Sequence, residues 1–347
     1  MSDNPSIAIT QREATMSFQR TWRRGILAIL LILSAASSLC GQTPLKSAAF
    51  TPGSWSLVLL PDTQYYSLSY PDLFKAQTRW IVKNKEKYDI RYVLGLGDVT
   101  DKNTTREWRN AKKAIDELDG HVPYALASGN HDYSPHGDSA AGRSGINEFF
   151  PPSKFENWPT FGGVMKAGDI TNSFHLFSAG KTDWIVIVLE WAPSDAAVRW
   201  ANQILAKHPK RTAILVAHAY LFDDNTRYDF AKKGKKQKWN PHAYVSKGGN
   251  DGEDLWQKLV RKNNFALVVC GHVSIHGYAF LVSTNDRGKH VYQMLADYQS
   301  RQLGGEAYLR ILEFLPDGKT VHVKSYSPLR DKYLSDAGNQ FSFELDR

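Results

Sequence analysis

Cysteine is nearly absent from this sequence. Among 347 residues there are two cysteines, Cys40 and Cys270, and we expect Cys40 to leave with an N-terminal signal segment. A single remaining cysteine excludes an internal disulfide, and a chain of this length can bury enough apolar surface to fold without one. Export without disulfides is compatible with a bacterial envelope or periplasm.

A strong charge of one sign is also lacking. The net charge is +8, and part of it comes from residues 1–42, which hold four arginines against one aspartate and one glutamate. The remaining excess of positive charge is mild and spread along the chain. It fits attraction to phosphate or other anions, but it gives no specific signal for nucleic-acid binding.

Long apolar runs are missing except near the N-terminus. Residues 25–39 form an uncharged, mostly apolar run that follows three arginines. This order is typical of a secretory signal peptide, and the run is short for a helix that spans a membrane. We therefore predict a secretory signal peptide over residues 1–42, cleaved near residues 38–42.

Two alternatives for the N-terminus stay open. Cys40 suggests a lipoprotein, but Leu39 is a poor fit immediately before a lipidated cysteine. The signal could also be retained as a membrane anchor. We expect a secreted or periplasmic protein with no stable membrane span after cleavage, and a membrane-anchored protein if the signal is retained.

The rest of the sequence predicts one α/β domain. The apolar fraction of 42% and the aromatic fraction of 12% are ordinary for a globular chain with a sizeable core. Residues 43–54 are predicted to form a loose leader. From residue 55 onward, apolar strand-like runs alternate with amphipathic helical patterns, as in a layered α/β domain. Because no internal repeat is visible, we assign residues 55–347 to a single domain.

Two regions depart from this alternation. Residues 134–171 are rich in glycine, proline and serine, which predicts a long loop over one face of the domain. The C-terminal part of the sequence predicts antiparallel strands, with a turn over residues 315–318.

Five apolar runs end in side chains that can bind a metal ion. In chain order, these side chains are Asp62 and Gln64, Asp98 and Asp101, Asn130 and His131, His218, and His272. One aspartate after a strand is usually a turn residue, so the prediction depends on all five runs. Because the carboxyl ends of strands in an α/β sheet face one crevice, we expect these side chains to lie close together. Carboxylates, amide oxygens and imidazoles suit Mn, Fe or Zn, and more than four candidates indicate two divalent ions sharing a carboxylate.

The same residues resemble a known family. The blocks are D-T-Q at 62–64, G-D-V-T-D at 97–101, G-N-H-D at 129–132, A-H at 217–218 and G-H at 271–272. Over about residues 55–280, the chain resembles the calcineurin-like metallophosphoesterases. This resemblance implies an α/β fold with a double β-sheet sandwich flanked by helices, a metallophosphoesterase domain over residues 55–347, and phosphate-ester substrates. It also implies a binuclear centre in which a hydroxide bridging the metal ions is the nucleophile.

The resemblance also implies a role for each block. The ligands would be Asp62 and Gln64 on the first ion, Asn130, His218 and His272 on the second, and Asp98 between the two. His131 would be the general acid beside the leaving group, and Asp101 would orient it.

Two positions depart from the pattern of the family. Gln64 and Ser274 stand where the family usually has histidines, and an amide oxygen is a harder and weaker donor than an imidazole. The first ion is therefore expected to be loosely held, harder in type, or partly ligated by His276. The departures leave two functions open. One is a hydrolase of phosphate monoesters or diesters, and the other is a metal-binding relative with weak or no turnover that acts as a binding protein.

Overall fold

The computed structural model describes residues 42–45, 47–134, 143–244 and 249–346. The predicted signal peptide lies outside these ranges, apart from Gln42. Among the described residues, no helix is both long enough and apolar enough to cross a membrane.

The strands of the described residues form two sheets. In chain order they are β1 (Thr43–Pro44), β2 (Trp55–Leu60), β3 (Ile90–Gly95), β4 (Tyr124–Leu126), β5 (Phe161–Lys166), β6 (Asp169–Ala179), β7 (Thr182–Val188), β8 (Thr212–Val216), β9 (Phe265–Cys270), β10 (Tyr278–Thr284), β11 (His290–Ala296), β12 (Leu309–Phe314), β13 (Thr320–Ser327), β14 (Lys332–Leu334) and β15 (Gln340–Glu344).

Each sheet has a block of parallel strands. The first sheet has the order β1-β15-β13-β12-β2-β3-β4, with β14 paired to β13, and β2, β3 and β4 are parallel. The second sheet has the order β10-β11-β9-β8-β7-β6-β5, and β7, β8, β9 and β11 are parallel. The carboxyl ends of the parallel strands in each sheet therefore share one edge.

Helices follow several of these strands. In chain order they are α1 (Gln64–Ser69), α2 (Pro71–Asn84), α3 (Thr105–Ile115), α4 (Ile146–Phe149), α5 (Asp195–Lys207), α6 (Phe230–Lys233), α7 (Pro241–Tyr244) and α8 (Gly252–Leu255), which continues as a π-helix over Trp256–Val260. Local signals explain two of the starts. Helix α2 has proline at its first position, and α3 begins with a capping box between Thr104 and Glu107.

Apolar side chains pack in three layers around the sheets. Leu57 and Leu59 of β2 face a core between the two sheets. Val58 and Leu60 point the other way, into a core that includes side chains of α2 and α3, and a third core joins the second sheet to α5. Strand β2 is thus buried on both faces, which explains its apolar run over Leu57–Leu60. The layers confirm the predicted double β-sheet sandwich flanked by helices.

Of residues 134–171, the predicted long loop, residues 135–142 lie outside the described ranges, and residues 143–171 are more regular than predicted. They include α4, a 3₁₀ turn at Pro152–Lys154 and β5, and β6 begins at Asp169. Strand β5 lies at the edge of the second sheet and pairs with β6. It contains Gly162 and Gly163, and glycine weakens the pattern of a strand. Pairing with β6, rather than the local sequence, therefore explains this strand, and the prediction of a loop over its residues is wrong.

Residues 43–45 and 47–54 contact the domain instead of forming a loose leader. Strand β1 pairs with β15. Phe50 stacks on Tyr88 with ring centroids 3.8 Å apart. The backbone N–H of Thr51 donates to Oε1 of Glu313 at 2.6 Å. The segment thus covers a buried carboxylate of β12, and it belongs to the folded domain.

Candidate metal centre

The strand ends that carry the predicted ligands meet at one edge of the sandwich. Asp62, Asp98 and Asn130 follow β2, β3 and β4 of the first sheet, and His218 and His272 follow β8 and β9 of the second. Ligand atoms of Asp98, His218 and His272 lie within 4.8 Å of one another. Oδ1 of Asn130 lies 3.2 Å from Nε2 of His218. The structure therefore brings together the carboxylate predicted to bridge the ions and the three side chains predicted to bind the second ion.

Backbone carbonyl groups orient the two imidazoles. Nδ1 of His218 donates to the carbonyl oxygen of Leu96 at 2.8 Å, and Nε2 of His272 donates to that of Trp239 at 2.8 Å. The other ring nitrogens, Nε2 of His218 and Nδ1 of His272, lie 3.2 Å apart. A fixed acceptor for the outer N–H selects the tautomer whose inner nitrogen can bind a metal. The two histidines are thus arranged as metal ligands.

Asp98 is held at the centre of the group. Its Oδ2 lies 3.2 Å from Nε2 of His218, and its Oδ1 accepts a hydrogen bond from the backbone N–H of His131 at 2.9 Å. The φ angle of Asp98 is 44°, in the left-handed region that residues other than glycine adopt mainly at functional sites. A Cβ atom on Gly129 would lie 2.1 Å from Oδ1 of Asp98. The glycine of the G-N-H-D block therefore makes room for this carboxylate.

His131 lines a cavity at this edge of the sandwich, together with Asp98 and Asn130. Its Nδ1 lies 2.7 Å from the carbonyl oxygen of Asp101 and 3.9 Å from the Asp101 carboxylate. The backbone carbonyl of Asp101 is therefore closer to His131 than the Asp101 carboxylate is, and this carbonyl orients the imidazole. Asp132, the last residue of the block, has another partner, because its carboxylate accepts hydrogen bonds from the backbone N–H groups of Val99 and Thr100.

Two buried oxygen atoms at this edge have no hydrogen-bond donor among the described residues. They are Oδ1 of Asp62 and Oε1 of Gln64, and both residues are only 2% exposed. Oδ2 of Asp62 accepts from the backbone N–H of His272 at 2.9 Å. A buried acceptor without a partner costs free energy. A divalent cation beside these oxygens would satisfy them, so the residues fit a metal ion.

Two further polar residues of this edge escaped the sequence analysis. Asp297 directly follows β11 and is 1% exposed, and Gln299 lines the cavity. Gln299 donates from its backbone N to Oδ1 of Asp297 at 2.9 Å and from Nε2 to Oδ2 at 3.1 Å. The side-chain amide of Gln64 donates to Oε1 of Gln299. The apolar run at residues 294–296 directly precedes Asp297. Apolar runs likewise precede the predicted ligands on the other strands.

Burial and neighbouring charges shift the pKa values of these groups. Burial and then repulsion by Asp297 raise the pKa of Asp62, and burial raises that of Asp297 to about 7. Burial opposes the charge of Asp98, but His218 outweighs it and lowers the pKa to about 2. Burial similarly opposes the charge of His218, but Asp98 and Asp62 raise its pKa to about 10. Burial and the charge of His218 lower the pKa of His272 to about 3. His272 is therefore ready to bind a metal ion, whereas a metal ion at His218 would displace a proton from it.

His276 is not brought to the centre. Its side chain is 63% exposed, and its Nδ1 lies 3.1 Å from Oδ2 of Asp223. Ser274 does line the cavity, and its hydroxyl oxygen accepts a hydrogen bond from Ser300 at 2.7 Å. Position 274 therefore presents a hydroxyl group to the cavity and not the imidazole of the family pattern.

A cavity of about 220 Å³ opens onto the predicted ligands. Its polar side includes Gln64, Asp98, Asn130, His131 and His272, and its aromatic side includes Tyr65, Trp239 and Tyr244. Trp239 is 40% exposed. The cavity therefore presents a polar side next to an aromatic side.

The fold and the donor side chains at its edge together have the arrangement of the metallophosphoesterase family. The model of the calcineurin-like phosphoesterase family matches residues 57–275. The chain belongs to this family, as its sequence blocks predicted.

Two known proteins illustrate the relationship. The chain is 34% identical over 305 residues to YvnB of Bacillus subtilis (strain 168), an uncharacterized protein, and the match covers 84% of this chain and 22% of YvnB. The chain therefore spans about a fifth of the length of that relative. The structure is also similar to purple acid phosphatase PPD1 from yellow lupin (Lupinus luteus) seeds, with a TM-score of 0.52 and 16% identity over 88% of this chain and 55% of the phosphatase. At this identity, the second likeness concerns the fold alone.

Proposed function

We propose that the protein is an exported, metal-dependent hydrolase of phosphate esters with a binuclear centre. The observation that carries the proposal is the convergence of Asp98, Asn130, His218 and His272, with ligand atoms of three of them within 4.8 Å of one another. The fixed tautomers of the two histidines and the unpartnered oxygens of the first-ion residues add to it.

The side chains of the cavity can divide the work of hydrolysis. Bound divalent ions lower the pKa of a water molecule and neutralise phosphoryl oxygens. Asp98, placed between the two ligand sets, would hold both ions at a short separation. Since Nδ1 of His131 is engaged by the Asp101 carbonyl oxygen, its Nε2 is the nitrogen free to protonate the leaving oxygen. Tyr65 and Trp239 would contact the alcohol part of the ester.

A comparison of two chromogenic substrates tests this function. The purified protein, supplied with Mn²⁺, is assayed with p-nitrophenyl phosphate and with bis(p-nitrophenyl) phosphate. Hydrolysis of either ester that disappears with a chelator and returns with Mn²⁺ is expected, and the ratio of the two rates separates a monoesterase from a diesterase. Absence of hydrolysis with Mn²⁺, Fe²⁺ and Zn²⁺ would contradict the proposal.

One observation favours a second candidate, a binding protein with weak or no turnover. Gln64 and Ser274 replace two histidines of the family, and each is engaged by another polar side chain, Gln299 and Ser300 respectively. One tightly bound ion together with no hydrolysis of either ester would favour this candidate.

The His131→Ala variant tests the general acid. We expect turnover to fall by about 10²–10⁴-fold, the usual contribution of proton transfer, while the metal content stays unchanged because His131 is not among the assigned ligands. His121→Ala is the matched control, since His121 is exposed in the turn that precedes β4. Metal analysis and turnover are measured on all three proteins. Joint loss of metal and turnover in His131→Ala would contradict the role of an acid.

Export by a signal peptide is supported by the arginines and the apolar run of the N-terminus, which lie outside the described residues. When the full chain is expressed in a bacterial host, N-terminal sequencing of the periplasmic fraction is expected to find a start near residues 38–42. Recovery of the uncleaved chain from the cytoplasm alone would contradict export.

A further inference from the structure

We infer that Asp297, positioned by Gln299, completes the site of the first ion. With Asp62, Gln64 and Asp98, it gives this ion a set of oxygen ligands in place of the two histidines that the family pattern would supply. The first position would then take a hard divalent cation such as Mn²⁺, while the second, with two imidazoles, would prefer Zn²⁺ or Fe²⁺. This inference rests on the proposed binuclear centre.

The position of Asp297 in the fold supports this assignment. Strand β11 is parallel to β9, so Asp297 leaves the second sheet at the same edge as His272, one strand away. Its backbone N–H donates to the carbonyl oxygen of Gly277 at 2.9 Å. Asp297 is also 1% exposed. The residue is therefore fixed inside the edge where the ligands meet.

A chain of hydrogen bonds connects Asp297 to the ligand set. Gln299 donates to both carboxylate oxygens of Asp297, at 2.9 and 3.1 Å, and accepts from the amide of Gln64. The bond to Gln299 uses the NH₂ group of Gln64, and it leaves Oε1 of Gln64 buried and without a donor among the described residues. A carboxylate oxygen can accept more than one bond, so each oxygen of Asp297 can still bind a cation.

The burial of these carboxylates also favours a bound cation. Asp62, Asp98 and Asp297 are each at most 2% exposed, and the contact nearest to Asp98 from an imidazole is that of Nε2 of His218 at 3.2 Å. Buried carboxylates that stay ionised are paired or bind metal. The unpartnered Oδ1 of Asp62 is a second, independent sign of a missing ligand. Carboxylate and amide oxygens together suit Mn²⁺ or Mg²⁺ better than Zn²⁺.

The Asp297→Asn variant tests this site by metal binding rather than activity. Metal-free full-length protein is titrated with Mn²⁺, and free Mn²⁺ is followed by electron paramagnetic resonance. We expect two bound ions per native chain, and in the variant a loss of affinity for one of them of at least about 10–100-fold. Asp223→Asn is the matched control, a carboxylate that pairs with His276. Equal binding by all three proteins, or one ion per native chain, would overturn the inference.

A gain-of-function variant guards against a misfolded Asp297→Asn protein. Gln64→His restores the imidazole of the family pattern at the first position. We expect it to raise the affinity of the weaker site for Zn²⁺ relative to Mn²⁺ by at least tenfold, about the effect that a ligand of matched softness gives. An unchanged preference would overturn the placement of the first ion beside Gln64.

The metal titrations test the site and the esterase assay tests the function, so either proposal can be refuted without the other. Two bound Mn²⁺ ions with the expected loss in Asp297→Asn, but no hydrolysis of either ester, would refute the proposed function and support the site. Hydrolysis by a chain whose Mn²⁺ binding is unchanged by Asp297→Asn would refute the site and support the function.

Discussion

The Asp98→Asn variant is expected to lose phosphoesterase activity by roughly 10³-fold or more, because metal ions supply several kcal/mol of charge stabilisation in the transition state. Asparagine keeps the size of the side chain and can still accept the hydrogen bond from the backbone of His131. It removes the negative charge that lies 3.2 Å from His218 and that both ions would share. Turnover and metal content per chain are measured together.

Asp183→Asn is the control for this experiment. Asp183 is exposed at the start of β7, at the opposite end of the strand from the metal centre. It should keep native turnover and native metal content. If Asp98→Asn keeps both as well, Asp98 does not join the two ions.

The Lys324→Met variant is expected to lower the free energy of unfolding by about 3–5 kcal/mol, because it leaves a buried carboxylate without its cation. Nζ of Lys324 donates to Oε2 of Glu313 at 2.6 Å, and both side chains are 0% exposed. It also donates to the carbonyl oxygen of Ala49 at 2.9 Å and lies 3.8 Å from the ring centre of Phe50. Urea denaturation of the native and variant proteins measures the change.

Two further measurements separate charge from packing. The double variant Glu313→Gln with Lys324→Met should recover much of the loss, since no buried charge is left alone, and Lys332→Met, at an exposed position of β14, should change stability by less than about 1 kcal/mol. Burial raises the pKa of Glu313, but the nearby imidazole of His322 and hydrogen bonds from Lys324 and the backbone of Thr51 lower it to about 2. A carboxylate with a lowered pKa stabilises the fold above its ordinary pKa of 4.5, and this contribution is lost as the pH falls towards 2. The loss caused by Lys324→Met should therefore shrink in acid, and a constant difference down to pH 2 would contradict the ion pair.

The central strands of both sheets could be predicted from the sequence because their burial leaves a local pattern. Strands β2 and β9 are buried on both faces and contain apolar runs of four residues or more. Strand β5 has no such pattern, since it is a half-exposed edge strand with two glycines. The packing of residues 47–54 depends on contacts with Tyr88 and Glu313, which lie far away in the sequence.

The candidate site was predictable where a ligand belongs to a recognisable block. Asp297 was not, although an apolar run precedes it, because the C-terminal region predicts antiparallel strands. Strand β11 is in fact antiparallel to β10 and parallel to β9. The second pairing is what directs the end of β11 to the same edge as His272. A single sequence does not reveal which strands pair with one another in a sheet, so only the three-dimensional arrangement identifies Asp297.

The two sheets contribute jointly to the candidate centre, and this has a thermodynamic consequence. Asp62, Asp98 and Asn130 come from one sheet, and His218 and His272 from the other. Any cation bound between them must be released before the layers can separate. By mass action, the supply of free metal in the surrounding compartment then helps to set the resistance of the whole domain to unfolding. A fall in the supply of free metal would therefore weaken the packing between the two sheets first at the edge that carries the candidate ligands.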